Sequence, residues 1–369
     1  MIYFDNSATS FPKPRCVIRA ASRYARLYGG NAGRSGHQLS VKAAEKLYRA
    51  RETVAQHIMY DKPERVVFTQ NATYALNLAI KGLINEPCHV ITSNMEHNSV
   101  LRPLNALKSL GVYYSTFDAS LPPAISIPPL LQSDTKFIVC TAVSNVSGME
   151  IDIYSLSNIA KENGLGLILD LSQLLGHREI DSSVLHFSAL CAPGHKGLMG
   201  LMGSGFAVFS KDCTPTPLID GGSGYDSLNE GMPLQLPERL EAGTLAAPAI
   251  ISMAKGIKYI ENYGTECVGR HLEALCSYAV SLLSTMPCIE VIYGKNGIVA
   301  FNVGDIPSVA VADMLDKNGI CARGGLHCAP MTHRSLGTLE QGVVRLSFSL
   351  FNTFDEVDRL YRLLKREYK

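Results

Sequence analysis

The sequence predicts an α/β protein with a large, mostly parallel sheet domain and a smaller α+β domain at the C-terminal end. Three observations support this prediction: short apolar runs alternate with helical stretches of roughly 10–15 residues, several of these runs are apolar throughout, and the pattern changes after about residue 246. Strands that alternate with helices form parallel βαβ units. Strands that are apolar throughout are buried on both sides, so we expect helices on both faces of the large sheet.

In the first part of the chain, the sequence pattern predicts strands and helices in strict alternation. The predicted elements are a strand at 65–69, a helix at 73–81, a strand at 89–92, a helix at 100–110, a strand at 137–142, a helix at 154–163 and a strand at 166–170. Ligands of open α/β sheets bind at the carboxyl ends of the strands. The residues that follow each strand are therefore the first candidates for a functional site.

The second part predicts a different mixture of elements. They are helices at 248–263 and 266–285, strands at 289–293 and 298–303, a helix at 307–317, strands at 320–322 and 343–349, and a closing helix at 355–368. No Gly/Ser-rich linker precedes this part, so we expect the two domains to share an extensive interface. The predicted division is a large domain of residues 15–245 and a small domain of residues 1–14 and 246–369.

The composition excludes several classes of protein. The 369 residues are 46% hydrophobic and 18% charged, an apolar content that disordered chains lack. The formal net charge is +1, too small to attract nucleic acid or an anionic membrane. No run approaches the ~20 apolar residues that span a bilayer, and no signal peptide is readable at the start. Ten cysteines without a CxxC pair are typical of free thiols in a reducing compartment, so we expect a soluble, cytoplasmic protein.

Polar residues of varied chemistry lie at five successive strand ends, the four predicted above and one directly before Gly194. They are Gln70–Thr73, Glu96–Asn98, Ser144 and Asn145, Asp170 with Gln173, and Gly194–Lys196. Each of them alone is most simply a helix cap or a solvated loop residue. An acid, an amine, amides and two imidazoles at one sheet edge are harder to explain by capping, and together they indicate a catalytic site.

The chain carries seven segments whose order and spacing are more specific than any one of them. They are Tyr3–Thr9, Met95–Ser99, Ser144–Val146, Leu169–Gln173, Gly194–Lys196, Arg239–Thr244 and Arg323–Ala329. In these segments the chain resembles the fold-type I pyridoxal-phosphate enzymes of aminotransferase class V, and among them the cysteine desulfurase and selenocysteine lyase family. The resemblance runs almost from end to end of the sequence.

The resemblance implies a role for each residue around the cofactor ring. Lys196 corresponds to the lysine that bonds to the cofactor and then acts as a base at the substrate Cα. Asp170 corresponds to the carboxylate that pairs with the pyridine nitrogen and keeps it protonated. Gln173 corresponds to the partner of the ring oxygen, His97 to the imidazole stacked on the ring, and Asn145 to a residue near ring and substrate.

The cofactor phosphate needs an anion site of its own. Thr73 lies at the start of a predicted helix, whose free N–H groups and dipole favour an anion. The resemblance implies His195 as a further ligand, and Thr244 as a residue that reaches the phosphate of the neighbouring subunit of a homodimer. Pro193 stands where the family usually has Ser or Thr and offers neither hydroxyl nor N–H, so one phosphate ligand is missing. Ser172 replaces the family's common Ala beneath the ring.

The residue that decides the reaction is Cys328, in a Gly-rich loop after a predicted strand. Nearby His327 and Arg323 would favour the thiolate. The resemblance implies that this thiolate attacks the sulfur of L-cysteine, or the selenium of L-selenocysteine, leaving a persulfide on Cys328 and alanine as product. It also implies that Arg345 binds the substrate carboxylate, with Arg323 as a second substrate-binding residue, and that the loop is of the short, ordered branch.

Three other functions stay open at this stage. The first is a selenocysteine lyase, because no residue of the sequence distinguishes its activity from desulfuration. For a desulfurase, we also expect a sulfur-acceptor protein as a partner. Another class V lyase or aminotransferase would use Lys196 and Asp170 but leave Cys328 without a role. A metal-binding or scaffold protein would use His327, Cys328 and His333, although no CxxC supports it and we expect no bound metal.

Overall fold

The computed structural model describes residues 1–33 and 35–368. The helices are α1 (Arg15–Leu27), α2 (Gln38–His57), α3 (Ala72–Leu83), α4 (Asn98–Ala106), α5 (Pro123–Ser126), α6 (Ile153–Glu162), α7 (Ala247–Tyr263), α8 (Thr265–Leu283), α9 (Ser308–Lys317), α10 (Pro330–Ser335) and α11 (Phe354–Glu367). The strands are β1 (Ile2–Tyr3), β2 (Val66–Thr69), β3 (His89–Ser93), β4 (Tyr113–Phe117), β5 (Thr135–Thr141), β6 (Gly166–Asp170), β7 (Ala189–Pro193), β8 (Gly205–Phe209), β9 (Ile289–Lys295), β10 (Ile298–Val303), β11 (Ile320–Cys321), β12 (Arg323–Gly325) and β13 (Val343–Ser347). No helix in these residues is both long and apolar enough to cross a bilayer.

The main sheet has seven strands in the order β2-β8-β7-β6-β5-β3-β4. Neighbouring strands are parallel except at β8, which is antiparallel to both β2 and β7. The prediction of a mostly parallel sheet is confirmed. The carboxyl ends of β3, β5, β6 and β7 consequently lie at one edge, where the loops that follow them meet.

Helices cover both faces of the main sheet. Successive residues of a strand point to opposite faces, and in β6 Leu167 and Leu169 pack with α2, α6 and α7, whereas Ile168 packs on the other face with α3 and α4. The two faces form separate apolar cores. Strands buried on both sides explain why β5, β6 and β7 are nearly continuous apolar runs.

A smaller antiparallel sheet follows, in the order β12-β13-β10-β9. Val344 and Leu346 of β13 belong to its apolar core with α8, α9 and α11, so the alternate residues of β13 face the other way. Helix α7 contributes Ile257 to the core of the main sheet and Ile260 to that of the small sheet. The domain boundary at residue 246 stays a prediction.

Residues 2–13, which we call the N-terminal strap, run between the two sheets. Its strand β1 pairs in parallel with β11, and Asp5 bridges to Ser347 at the end of β13. Farther along the strap, the N–H of Ser10 donates to the carbonyl of His195, 3.0 Å away. The strap therefore joins the small sheet to the turn that follows β7.

Candidate active site

A cavity of about 150 Å³ lies at the carboxyl edge of the main sheet. It brings together most of the residues predicted at the strand ends, namely Thr73, His97, Asn145, Asp170, Gln173, His195 and Lys196. The predicted residues outside this lining are Arg323, Cys328, Arg345 and Thr244. The loops after β3, β5, β6 and β7 and the start of α3 thus build one site.

Lys196 projects from a tight turn after β7 that only glycines allow. A Cβ on Gly194 would lie 2.3 Å from Ser204 Oγ, and a Cβ on Gly197 would lie 2.1 Å from the Leu175 carbonyl oxygen. Burial lowers the pKa of Lys196 to about 8, although the carboxylate of Asp170 opposes this change. A larger share of the amine is therefore neutral and nucleophilic near pH 7 than in an ordinary lysine.

Asp170 and Gln173 stand on the short turn that follows β6. The Asp170 side chain is buried, and its Oδ1 accepts the N–H of Ser172 at 2.9 Å. Gln173 is also buried and donates through Nε2 to the carbonyl of Ser7 in the N-terminal strap, 3.1 Å away. The turn therefore holds a carboxylate and a side-chain amide on one side of the cavity.

His97 caps the N-terminus of α4 and lines the cavity at the same time. Its Nδ1 accepts the N–H of Ser99 at 3.0 Å, so the neutral ring carries its proton on Nε2. Burial lowers the pKa of His97 to about 4, against the opposing effect of Asp170. The imidazole is consequently neutral near pH 7. Capping and a role in the site are compatible, because they use different ring atoms.

The start of α3 and the His195 ring form an anion-binding corner. The Asn71 side chain accepts the N–H of Tyr74 at 2.9 Å, whereas the N–H groups of Ala72 and Thr73 donate to no group of the described chain. Nδ1 of His195 is buried and has no partner among the described residues. Free N–H groups at a helix N-terminus favour an anion. Pro193 also lines the cavity and adds no donor.

Arg345 lies in β13, on the face of the small sheet that turns away from its apolar core. Its side chain is 1% exposed and donates through Nη2 to Oδ1 of Asp5 at 2.7 Å. Nη1 donates to the carbonyl of Asn145 at 2.8 Å, and Nε has no partner in the described chain. Arg323 is opposite Arg345 in the β12–β13 ladder. Arg345 thus contacts the cavity residue Asn145, and Arg323 is its neighbour in the small sheet.

The loop that carries Cys328 is fastened to the edge of the cavity. His327 and Cys328 both have positive φ angles, 49° and 57°, which non-glycine residues rarely adopt and which often mark functional sites. The Asn145 side chain donates to the His327 carbonyl at 2.8 Å, and the N–H of Asn98 donates to the Cys328 carbonyl at 2.7 Å. Cys328 is exposed, so its thiol is accessible beside the cavity.

His327 does not act as the positive neighbour that the sequence suggested. The ring is buried, its Nε2 contacts the Val343 carbonyl at 3.0 Å, and burial lowers the pKa of His327 to about 2. The neutral imidazole therefore adds no positive charge beside Cys328. Nor do His327, Cys328 and His333 form a metal site: within residues 1–33 and 35–368, no three His, Cys, Asp or Glu side chains are placed to hold an ion.

Thr244 lies outside the catalytic cavity of its own chain. It is exposed and lines a separate cavity of about 820 Å³, where its hydroxyl accepts a hydrogen bond from Nδ2 of Asn31 at 3.2 Å. Within one chain, therefore, Thr244 is not brought to the residues around Lys196. A role for Thr244 in that site requires a second copy of the protein.

Glu96 is a buried acid that sequence reasoning left without a role. It accepts hydrogen bonds from the Ser93 hydroxyl and from the N–H of Thr141, which is 2.9 Å from Oε1. These contacts join the ends of β3 and β5 directly before His97. Burial raises the pKa of Glu96 to about 8. The signals in the sequence were its position after a predicted strand and its place in the segment Met95–Ser99.

Glu96→Gln should change how stability depends on pH. The unfolded carboxyl has a pKa of ~4.3, below the folded value of about 8, so unfolding releases a proton between these limits. The free energy of unfolding of the wild type should therefore fall relative to Glu96→Gln as the pH rises from 5 to 8, by up to ~1.4 kcal/mol per unit. Urea denaturation at each pH measures the difference. Glu162→Gln, at the exposed end of α6, is the control. If the free energy of unfolding changed with pH in the same way in the wild type and in Glu96→Gln, Glu96 would not be a buried neutral acid.

Comparison with known proteins agrees with this architecture. The model of the family described as aminotransferase class-V matches residues 2–360. The chain is 32% identical to a protein named "Probable cysteine desulfurase" from Methanothermobacter thermautotrophicus, over 99% of this chain and 94% of the relative. A protein of the same name from Pyrococcus abyssi is 33% identical over 100% of this chain and 94% of its own length.

A solved structure gives the same result. The cysteine desulfurase of Thermococcus onnurineus NA1 superposes with a TM-score of 0.91 at 31% identity, over 100% of this chain and 94% of that one. The fold and the lysine-bearing cavity define an α/β enzyme of the fold-type I architecture. The chain belongs to the aminotransferase class-V family, which uses pyridoxal phosphate.

Proposed function

We propose that this protein is a pyridoxal-phosphate-dependent cysteine desulfurase, which converts L-cysteine to L-alanine and forms a persulfide on Cys328. One observation carries the proposal: an exposed thiol on a loop that is hydrogen-bonded to Asn145 and Asn98, beside the cavity that contains Lys196. A lyase or aminotransferase without sulfur chemistry gives this thiol no role. The names of the relatives support the same function.

The cavity residues fit pyridoxal phosphate. The free N–H groups of Ala72 and Thr73 and the unpartnered Nδ1 of His195 would hold the phosphate. Asp170 would pair with the pyridine nitrogen and Gln173 with the ring oxygen, while His97 would cover the ring face. When bound, the cofactor supplies a conjugated, electron-withdrawing ring that stabilises negative charge at the substrate Cα.

The substrate carboxylate would bind between the two sheets. Arg345 has an unpartnered Nε that faces no group of the described chain, and a guanidinium suits a planar carboxylate. Arg323 is adjacent in the β12–β13 ladder and adds a second positive charge. Asn145 contacts both Arg345 and the Cys328 loop, so it would hold the carboxylate site and the thiol at a fixed distance from each other.

The chain's own groups then perform three operations. The neutral amine of Lys196, with a pKa of about 8, takes the proton from the substrate Cα. The Cys328 thiolate attacks the substrate sulfur, a new S–S bond forms, and the C–S bond breaks with its electron pair going to the three-carbon fragment. Protonation of this fragment gives alanine, and the sulfur stays on Cys328 as a persulfide for a thiol acceptor, such as a sulfur-acceptor protein.

Product analysis tests this function. The protein loaded with pyridoxal phosphate is incubated with L-cysteine or L-selenocysteine and dithiothreitol, and alanine and sulfide or selenide are measured. Alanine and sulfide in equal amounts from L-cysteine are the expected result. Selenide from L-selenocysteine without sulfide from L-cysteine would indicate a selenocysteine lyase. Pyruvate instead of alanine from both substrates would indicate another lyase and contradict the proposal.

The proposed active form is a homodimer in which Thr244 reaches the phosphate of the other subunit. This places two composite sites in each dimer. A hydrogen bond to a charged group is worth ~1.5–3 kcal/mol, so Thr244→Val should weaken cofactor binding about tenfold or more, at ~1.4 kcal/mol per decade. Because Pro193 contributes no hydroxyl, the remaining ligands should matter more. Titration of the cofactor-free protein with pyridoxal phosphate measures the affinity.

Mixed dimers separate the two subunits' contributions. When Thr244→Val subunits are combined with Lys196→Ala subunits, one site carries both changes, while the other keeps Lys196 and receives an intact Thr244. At limiting cofactor this second site should be more active per intact lysine than the Thr244→Val parent. No gain would mean that Thr244 acts within its own subunit or not at all.

A further inference from the structure

Asp5 is a carboxylate already bound to the arginine that the proposed function assigns to the substrate. Its Oδ1 is 2.7 Å from Nη2 of Arg345. The Arg345 side chain is 1% exposed and that of Asp5 is 22% exposed. Burial lowers the pKa of Arg345 and Asp5 opposes this change, so the pair is a guanidinium and a carboxylate in contact.

The backbone of the N-terminal strap fixes Asp5 in this place. The N–H of Ser347 donates to the Phe4 carbonyl at 2.6 Å, and the N–H of Ser7 donates to the Ser347 hydroxyl at 2.8 Å. Asp5 is therefore held on both sides against the end of β13. A substrate carboxylate that binds Arg345 must share the guanidinium with Asp5, because the strap cannot move aside without breaking these bonds.

Two carboxylates on one guanidinium repel each other. The charged groups around this point are Arg345, Arg323 and Lys196 on the positive side and Asp5 on the negative side, with Asp170 beyond Lys196. An amino acid that arrives at Arg345 is attracted by both arginines and repelled by Asp5. The repulsion acts equally on the substrate L-cysteine and the product L-alanine, since both carry the same carboxylate.

We propose that Asp5 is a positioning residue that limits the affinity of Arg345 for amino-acid carboxylates, so that alanine is released after each turnover. This inference rests on the proposed function, which assigns the substrate carboxylate to Arg345. Asp5 has two effects on the guanidinium: it orients Nη2 and it offsets the positive charge. Only the second effect predicts that a neutral side chain at residue 5 makes carboxylates bind more tightly.

Asp5→Asn separates these effects, because the Asn side-chain oxygen still accepts from Nη2 while the negative charge is gone. The dissociation constant for L-alanine is measured from the absorbance change of the protein loaded with pyridoxal phosphate. We expect L-alanine to bind about tenfold more tightly to Asp5→Asn than to the wild type, and kcat for L-cysteine to fall as release slows. Ethylamine, which is alanine without its carboxylate, should bind equally to both.

Two further variants complete the comparison. Asp61→Asn removes a surface charge that is 82% exposed and should leave the L-alanine affinity unchanged. Asp5→Ser gives the same comparison if Asp5→Asn fails to fold. Unchanged or weaker L-alanine binding in a folded neutral variant would overturn the inference, since Asp5 would then only orient Arg345.

The same data distinguish a failure of this inference from a failure of the proposed function. Tighter L-alanine binding without conversion of L-cysteine would leave the role of Asp5 intact and refute the desulfurase. Conversion of L-cysteine with unchanged L-alanine binding would refute the role of Asp5 alone. No conversion of L-cysteine by the wild type, together with no gain of L-alanine binding in Asp5→Asn, would refute both.

Discussion

Lys196→Ala is expected to remove turnover of L-cysteine, because the proposed function makes this amine both the attachment point of the cofactor and the base at Cα. Loss of a positioned base alone lowers rates by about 10²–10⁴-fold. Among the described residues, Lys196 is the only lysine that lines this cavity. Turnover is measured as alanine formed by the protein supplied with excess pyridoxal phosphate.

Borohydride reduction identifies the lysine directly. Reduction of the loaded wild type followed by peptide mapping should place the cofactor on Lys196. The rival amine is Lys13, which lies 2.7 Å from the His195 carbonyl and whose pKa burial lowers to about 8. Lys13→Arg is therefore the matched control and should still be labelled on Lys196. Label on Lys13 in the wild type would refute the assignment.

Cys328→Ser should stop the formation of persulfide from L-cysteine while the cofactor stays bound. The Cys328 side chain does not line the cavity, and a serine hydroxyl cannot accept sulfur as a persulfide. Mass spectrometry of the protein after L-cysteine, without reductant, should detect an added sulfur atom on Cys328 in the wild type and no added sulfur in Cys328→Ser. The loss with L-selenocysteine should be smaller, because selenium leaves carbon more readily without a nucleophile.

Cys267→Ser is the control for this experiment, because Cys267 is also exposed and lies on α8. It should keep both the added sulfur and the formation of alanine. Normal desulfuration by Cys328→Ser would exclude the persulfide route and leave a simple lyase in its place.

Four strands of the main sheet, β2, β3, β5 and β6, could be predicted because burial on both faces makes them nearly continuously apolar. β6 and β10 have the predicted bounds, 166–170 and 298–303. β4 was not predicted, since it is the edge strand of the sheet and its sequence, Tyr113–Phe117, is mostly polar and partly exposed. β8 was not predicted either, and its antiparallel direction depends on its connection rather than on its own residues.

The candidate site could be predicted where its residues directly follow strands. Asp170 and Lys196 are examples, because the topology of a parallel sheet brings the strand ends together. The contact of Asp5 with Arg345 was missed, since it joins residues 340 positions apart. The burial of His327 could not be predicted, because only the folded chain places its ring against the Val343 carbonyl. Local sequence patterns do not show which side chains are buried or which distant residues are in contact.

The contact between the two ends of the chain also determines when the site can form during synthesis. Asp5 leaves the ribosome early, but its partner Arg345 is made 340 residues later, about 20–70 s at ~5–20 residues per second. The strands of the main sheet are complete by Phe209, long before the strap has its partner. A chain that stops before Arg345 lacks the arginine that the proposed function assigns to the substrate carboxylate, so the two halves of the site can meet only after residue 345 has been made.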